Sequence, residues 1–302
     1  MLWWYARVMP REACQRAWNQ SSHKVMTAHH FTVDVEEYFQ VSALEPYVSR
    51  DSLLQRESRV ERSVDTLLEL LDQFGSRGTF FVLGWIAKHH RKVVESIAAA
   101  GHEVASHGWG HRCVTQLNPR EFRQSVRDSK QLLEDLIGKS VTGYRAPSFS
   151  IVRGGEWALD ILVEEGYGYD SSLFPVRRPG YGYAGGQRAP YWINRPAGRL
   201  VEVPPATLRI VGVNLPAAGG AYFRLLPYGL CRAALRQFQR RGAPGTFYMH
   251  PWEVDPDQPR LGVGFLTRLR HYGGLTRTAD RLRRLLGEFS FRPIVDTVAL
   301  LK

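Results

Sequence analysis

Apolar and polar positions change their period repeatedly along the chain, and each change marks an element. His30-Phe31-Thr32-Val33-Asp34 is a β-rich run that ends in acid, with Asp34, Glu36 and Glu37 close together. From Arg62 to Phe74, Val64, Leu67, Leu68, Leu71 and Phe74 recur at helical spacing and stop at Gly75. Gly78-Thr79-Phe80-Phe81-Val82-Leu83 then reads as a buried strand, a second helix runs to Ala100 before Gly101, and Val104-Ala105 leads a strand toward His107. Asn118-Pro119 is an N-cap and first-turn pair that opens a long helix with Phe122, Val126, Leu133 and Ile137 inward, closed by Gly138.

The same alternation continues through Val141-Thr142-Gly143-Tyr144, a helix over about Glu156 to Glu165, and Tyr167-Gly168-Tyr169. It lapses between Arg177 and Ala221, a Gly-, Pro- and Tyr-rich insertion broken by a strand at Leu200 to Val203. A helix from about Tyr228 to Arg240 precedes the strand Thr246-Phe247-Tyr248-Met249, which ends at His250. The pattern closes with a basic helix from Arg277 to Leu286 and a last strand from Pro293 to Leu301. Alternating strands and helices predict a largely parallel sheet wrapped by helices. Polar residues at several strand ends favour a barrel, whose reactive groups gather at the C-terminal mouth. An open doubly wound sheet is the alternative, but it calls for a Gly-rich phosphate loop after the first strand, where this chain has Asp34-Val35-Glu36-Glu37.

At 302 residues and 44% hydrophobic content the chain can bury a substantial core. Its net charge of +11 suits a polyanion or a membrane surface, yet the arginines are spread and thicken only near Arg268, Arg270, Arg277, Arg281, Arg283 and Arg284, as on solvated helix faces. Cys14, Cys113 and Cys231 are too few and too far apart for a disulfide framework. No run reaches the roughly 18 apolar residues of a membrane span. Met1 to Arg7 meets charge too early for a signal peptide, so a cytoplasmic location is expected. Residues 1–25 show neither period and are expected to be an unstructured extension ahead of one domain over 26–302.

His107 and His111 stand four positions apart. If the residues between them coil into a helical turn, both rings fall on one face and can reach one cation. A carboxylate with two imidazoles leaves open positions on a divalent ion, the arrangement that activates water and polarises a carbonyl. Asp34 could remove the proton from the water and His250 could protonate a leaving amine. Asp170 could orient His250, and Arg145 could fix Asp34.

Thr32-Val33-Asp34, Ser106-His107-Gly108-Trp109-Gly110-His111, Arg145-Ala146-Pro147, Asp170-Ser171-Ser172-Leu173-Phe174-Pro175 and Met249-His250 resemble, in order, the five motifs of the polysaccharide deacetylase (NodB-homology) family of carbohydrate esterases. The opening Val33-Asp34-Val35-Glu36-Glu37-Tyr38-Phe39-Gln40 and the ending His250-Pro251-Trp252-Glu253, with a basic extension from about 251, resemble its exosortase-associated exopolysaccharide branch. The resemblance implies a deformed (β/α) barrel and metal-dependent removal of acetyl from an N-acetylated sugar or polysaccharide, which could be lipid-linked, with zinc as the family's usual ion. It implies Asp34 as general base, His107 and His111 as ligands, Arg145 as positioner of the base, Asp170 as tuner of His250, and His250 as general acid.

The family's usual first motif has two adjacent aspartates, the second a ligand, and here Val35 takes that place. Along a strand Asp34 and Glu36 point to one side and Glu37 to the other, so Glu36 is the expected third ligand, with Glu37 available if the chain turns early. Trp109, Pro147, Phe174 and Trp252 are the expected walls around sugar or acetyl. Two rivals are an amidohydrolase on a non-sugar amide and an inactive glycan-binding protein. Nucleic-acid binding is not expected, because no reading module accompanies the basic tail.

Overall fold

The computed structural model describes residues 28–178 and 180–301. The expected extension over 1–25 and Cys14 lie outside them. Strand β1 (His29–Val35) is buried at every position, because parallel neighbours flank it on both sides. It pairs with β10 (Thr246–Met249) in the register Val33 to Met249, and with β2 (Thr79–Val82) in the register Asp34 to Phe81. The sheet continues through β3 (Glu103–Ser106), β4 (Gly143–Tyr144), β5 (Tyr169–Asp170) and β7 (Gly198–Glu202), all parallel, and ends on the antiparallel β6 (Tyr191–Arg195). Between β10 and the chain beyond β7 there is no continuous ladder, only isolated bridges from Pro205 to Thr246 and from Gly219 to Tyr248. The expected (β/α) barrel is thus deformed at this seam, where bridges stand in for a strand pair.

Helices α1 (Val60–Gln73), α2 (Gly84–His89), α3 (Arg91–Ala99), α4 (Pro119–Ile137), α5 (Trp157–Glu164), α6 (Gly220–Leu225), α7 (Tyr228–Gln239), α8 (Phe265–Tyr272), α9 (Thr278–Glu288) and α10 (Ile294–Leu301) complete the described elements with the hairpin β8 (Thr207–Ile210) and β9 (Val213–Pro216) and the short β11 (Phe291–Arg292). Asn118 caps α4 as its sequence predicts: its side chain accepts from the Glu121 amide at 3.0 Å, and Glu121 accepts from the Asn118 amide at 3.0 Å.

Three expectations change. The run from Pro293 to Leu301 is not a strand: after β11 it forms α10, whose first amides donate to Thr79 Oγ1 (2.8 Å) and Glu103 Oε2 (3.0 Å). Ile294 and Val298 then pack with Phe81, Ala105, Tyr169 and Val201 as a plug inside the sheet. A short, almost wholly apolar run fits either element, and only this tertiary setting decides. The helix expected up to Ala100 breaks in two at His90. The Gly-rich insertion is more ordered than expected, contributing β6, the β8–β9 hairpin and α6 as well as the predicted strand.

Candidate metal centre and catalytic cleft

Parallel strands place their following residues on one rim, and here that rim carries Asp34, Glu36, His107, Arg145 and His250. Asp34, Glu36, His107, His111 and His250 line one cleft of about 120 Å³ with Tyr181, Tyr222, Tyr248 and Trp252. Glu36 faces it as strand parity predicts. Glu37 turns the other way, and its carboxylate accepts from the Ser58 hydroxyl and from the Arg59 (3.1 Å) and Val60 (3.3 Å) amides, so it caps α1.

One ligand atom each from Glu36, His107 and His111 lies within 4.8 Å of the others. No helical turn joins the two histidines. Gly108 (φ 74°) and His111 (φ 56°) both take left-handed backbone, which bends the loop until the rings stand 5.5 Å apart between centroids. His107 Nδ1 donates to the Arg145 carbonyl at 2.8 Å, so its Nε2 is left with a free lone pair. Burial lowers the His107 pKa to about 4, which keeps the ring neutral. Glu36 Oε2 comes within 2.6 Å of His111 Nε2, yet this oxygen is buried without a hydrogen-bond partner. Three buried donors this close together fit a shared cation. Burial pushes the Glu36 carboxyl up, but the charge and close approach of His111, followed by the charge of His250, bring it down to about 2.

Arg145 is wholly buried and joins this side to Asp34. Its Nη1 donates to Asp34 Oδ1 at 2.7 Å and to Thr32 Oγ1 at 2.8 Å, its Nη2 to Ser171 Oγ at 2.8 Å, and its guanidinium lies 4.1 Å from the Phe81 ring centre. A guanidinium held at several points fixes the Asp34 carboxylate in orientation.

Asp170 does not reach His250. Its carboxylate accepts from Ser172 Oγ (2.6 Å) and the Ser172 amide (3.2 Å), and it lies across from Glu202, to which it is paired in register. Burial, followed by the Asp170 charge, raises the Glu202 carboxyl well above the usual carboxylate range. The partner of His250 is Glu253, which sequence reasoning quoted within a motif but gave no role. Its Oε2 accepts from His250 Nδ1 at 3.2 Å and from the His250 amide at 3.0 Å. Its Oε1 accepts from Nε of the buried Arg224 at 2.5 Å, and Arg224 also donates to the Arg270 carbonyl at 2.8 Å. Burial pushes the His250 ring down, but the hydrogen bond to Glu253 and the charges of Glu36, Glu253 and Asp34 raise it to about 9. With Nδ1 on Glu253, His250 directs Nε2 into the cleft, 3.6 Å from Glu36 Oε1.

Of the expected walls, Trp252 lines the cleft and its Nε1 donates to Glu36 Oε1 at 3.3 Å. Phe174 is buried one layer behind, in a cluster with Phe149, Val176 and Tyr248. Trp109 packs over Gly84, where a Cβ would meet its ring at 2.5 Å, and Pro147 is buried at the start of the short turn that carries Ser148 and Phe149. Phe149, Tyr181, Tyr222 and Tyr248 supply the aromatic wall expected of Trp109, Pro147 and Phe174. A bulky ring that can serve as wall or core gives no signal in sequence to tell the two apart.

Residues 56–154, which hold both histidines and Arg145, match the family model of the polysaccharide deacetylases. Over those residues the chain matches the polysaccharide deacetylase family. A peptidoglycan deacetylase of Helicobacter pylori is 30% identical over 37% of this chain and 38% of its own length. A chitin deacetylase of Pestalotiopsis is 32% identical over 28% of this chain and 29% of its own. The chain thus spans well under half the length of these curated relatives. Solved structures share the deacetylase fold over most of the chain. A Mycobacterium smegmatis protein described as a polysaccharide deacetylase superposes with a TM-score of 0.55 at 22% identity, covering 90% of this chain and 95% of that one. Puue allantoinase gives 0.56 at 17% identity, covering 92% of each. Residues 171–299, with Arg224, His250 and Glu253, match a domain of unknown function (DUF3473).

Proposed function

We propose that this chain is a metal-dependent hydrolase that removes N-acetyl groups from an N-acetylated sugar or polysaccharide. The observation that carries the reading is the convergence, in one cleft, of a three-residue cation site, an arginine-held carboxylate and a histidine backed by its own carboxylate. A divalent ion, zinc by family expectation, would bind Glu36, His107 and His111 and polarise the acetyl oxygen and the attacking water. Asp34 takes the proton from that water, with Arg145 keeping its carboxylate aimed into the cleft. His250 Nε2 then delivers a proton to the departing amine, while Glu253 holds the ring by Nδ1. Trp252 and the three cleft tyrosines offer faces for a sugar ring.

The motif resemblance and the relatives named for peptidoglycan and chitin support a glycan amide as substrate. We further propose a place in exopolysaccharide biosynthesis, at the cytoplasmic side, on a glycan that could be lipid-linked. The fold shared with an allantoinase keeps a small cyclic amide as the second reading.

The test is a screen of the metal-loaded protein on chitin oligomers, peptidoglycan fragments, lipid-linked N-acetylated glycans and small cyclic amides. Acetate released together with an equal amount of free amine from an N-acetylated glycan is the expected result. Ring opening of a cyclic amide with no acetate from any glycan would replace this reading with the second.

A further inference from the structure

Helix α8 serves the cleft with one side and shows solvent the other. Arg270 and His271 line the cleft and Tyr272 is buried, whereas Phe265, Leu266 and Leu269 are 73%, 78% and 49% exposed. At about 100° per residue these three side chains share one stripe, with Arg268 on one flank and Arg270 on the other. The stripe continues past both helix ends. Tyr47, 46% exposed, brings its hydroxyl within 4.0 Å of the Cβ position of Gly264, and Leu225, 39% exposed, lies 2.7 Å from that of Gly273.

The charge around this stripe is one-sided. From Arg260 to Arg284 the chain has seven arginines and a single acid, Asp280. Arg283 pairs with Asp280, Arg284 with Glu288, and Arg281 donates to backbone carbonyls. Arg260, Arg268, Arg270 and Arg277 have no carboxylate partner among the described residues. An apolar stripe flanked by arginines complements an anionic interface, where the rings and branched chains enter the acyl boundary and the guanidinium groups meet phosphate. A second copy fits less well. Self-association would set arginine against arginine, and one eight-residue helix offers far less than the roughly 800 Å² that each partner buries in a stable pair.

We propose that the exposed face of α8, with Tyr47 and Leu225, docks this chain on an anionic lipid surface and so opens the cleft beside the bilayer. The docking stands apart from the reaction assigned to the cleft, because none of Phe265, Leu266 or Leu269 lines it.

The test uses the full chain with vesicles of phosphatidylcholine alone or mixed with phosphatidylglycerol, at low and high salt, with the bound fraction read by sedimentation. Binding to the anionic vesicles that weakens with salt is expected, with little to the neutral ones. The double substitution Leu266→Ser/Leu269→Ser should lower the partition by about tenfold or more, and Arg268→Gln by about fivefold. Thermal unfolding and acetate release from a soluble substrate, measured on the same samples, should stay at the parent's values. Equal partition of parent and double variant overturns the proposal, as does a parent that binds no vesicle. A parent that self-associates in sizing, with the double variant monomeric, overturns it in favour of a second copy. A chain that binds vesicles but releases no acetate from any substrate removes the hydrolase reading and leaves this one intact.

Discussion

The stretch that matches the deacetylase family and the stretch that matches the domain of unknown function meet at one cleft but build their shares differently. The first delivers His107 and His111 on a loop with left-handed backbone at Gly108 and His111, and Arg145 at a strand end. The second delivers His250 with its own carboxylate three residues on, and anchors that carboxylate on a buried arginine from α6. One region shapes two donors of the candidate cation site by backbone geometry, and the other holds His250, the proposed proton donor, by a buried ion pair. Such a pair tolerates loss of one partner poorly, because the remaining charge is left buried. In the proposed reaction, the residues that match the domain of unknown function hold the acid.

Asp34→Asn should break the reaction outright. Loss of the base is expected to cost about 1,000-fold in kcat while metal per chain stays at the parent's level, read by acetate release beside elemental analysis. Next in size, Glu253→Gln should lower kcat by about 100-fold with KM nearly unchanged, whereas Asp170→Asn should change kcat by less than about threefold. Equal losses in the two variants would return the role to Asp170 and erase the contrast between the regions.

Strand β1, which lies outside both stretches and packs against the second, gives a pH test. His30 bridges Thr246 (3.0 Å) and Thr297 (2.7 Å), and His29 accepts from the Gly245 amide at 3.0 Å. Burial lowers the His29 pKa to about 4, and that of His30 well below 6.5. Between the unfolded value near 6.5 and about 4, the unfolded chain binds more protons than the folded one. Stability is therefore full above that window and falls as pH drops through it, by about 1.4 kcal/mol per pH unit for each histidine. Urea midpoints from pH 7 to 5 should show this slope, and His29→Asn should make it shallower. The smallest effect belongs to Glu37→Gln, which weakens the cap on α1 by about 1 kcal/mol in urea unfolding and leaves metal content unchanged.

Much of this was legible in the sequence where the signal is local. Strand parity separates Glu36 from Glu37, and the pair Asn118-Pro119 announces α4. The ordered motifs bring Asp34, His107, Arg145 and His250 to one rim because parallel strands end together. What was not legible depends on which neighbour a side chain meets after folding. Asp170 has Ser172 two residues away and Glu202 across the sheet, and both take its carboxylate out of reach of His250. Glu253 became the partner through Arg224, which no spacing ties to it. The last apolar run became a plug helix because Thr79 and Glu103 receive its first amides.

The most direct test is metal per chain in the parent, Glu36→Ala and Glu253→Gln, purified identically. The account predicts about one divalent ion in the parent and in Glu253→Gln, and almost none in Glu36→Ala. Full metal content in Glu36→Ala, or its loss in Glu253→Gln, would contradict a cation site built on Glu36 and held apart from the His250–Glu253 pair.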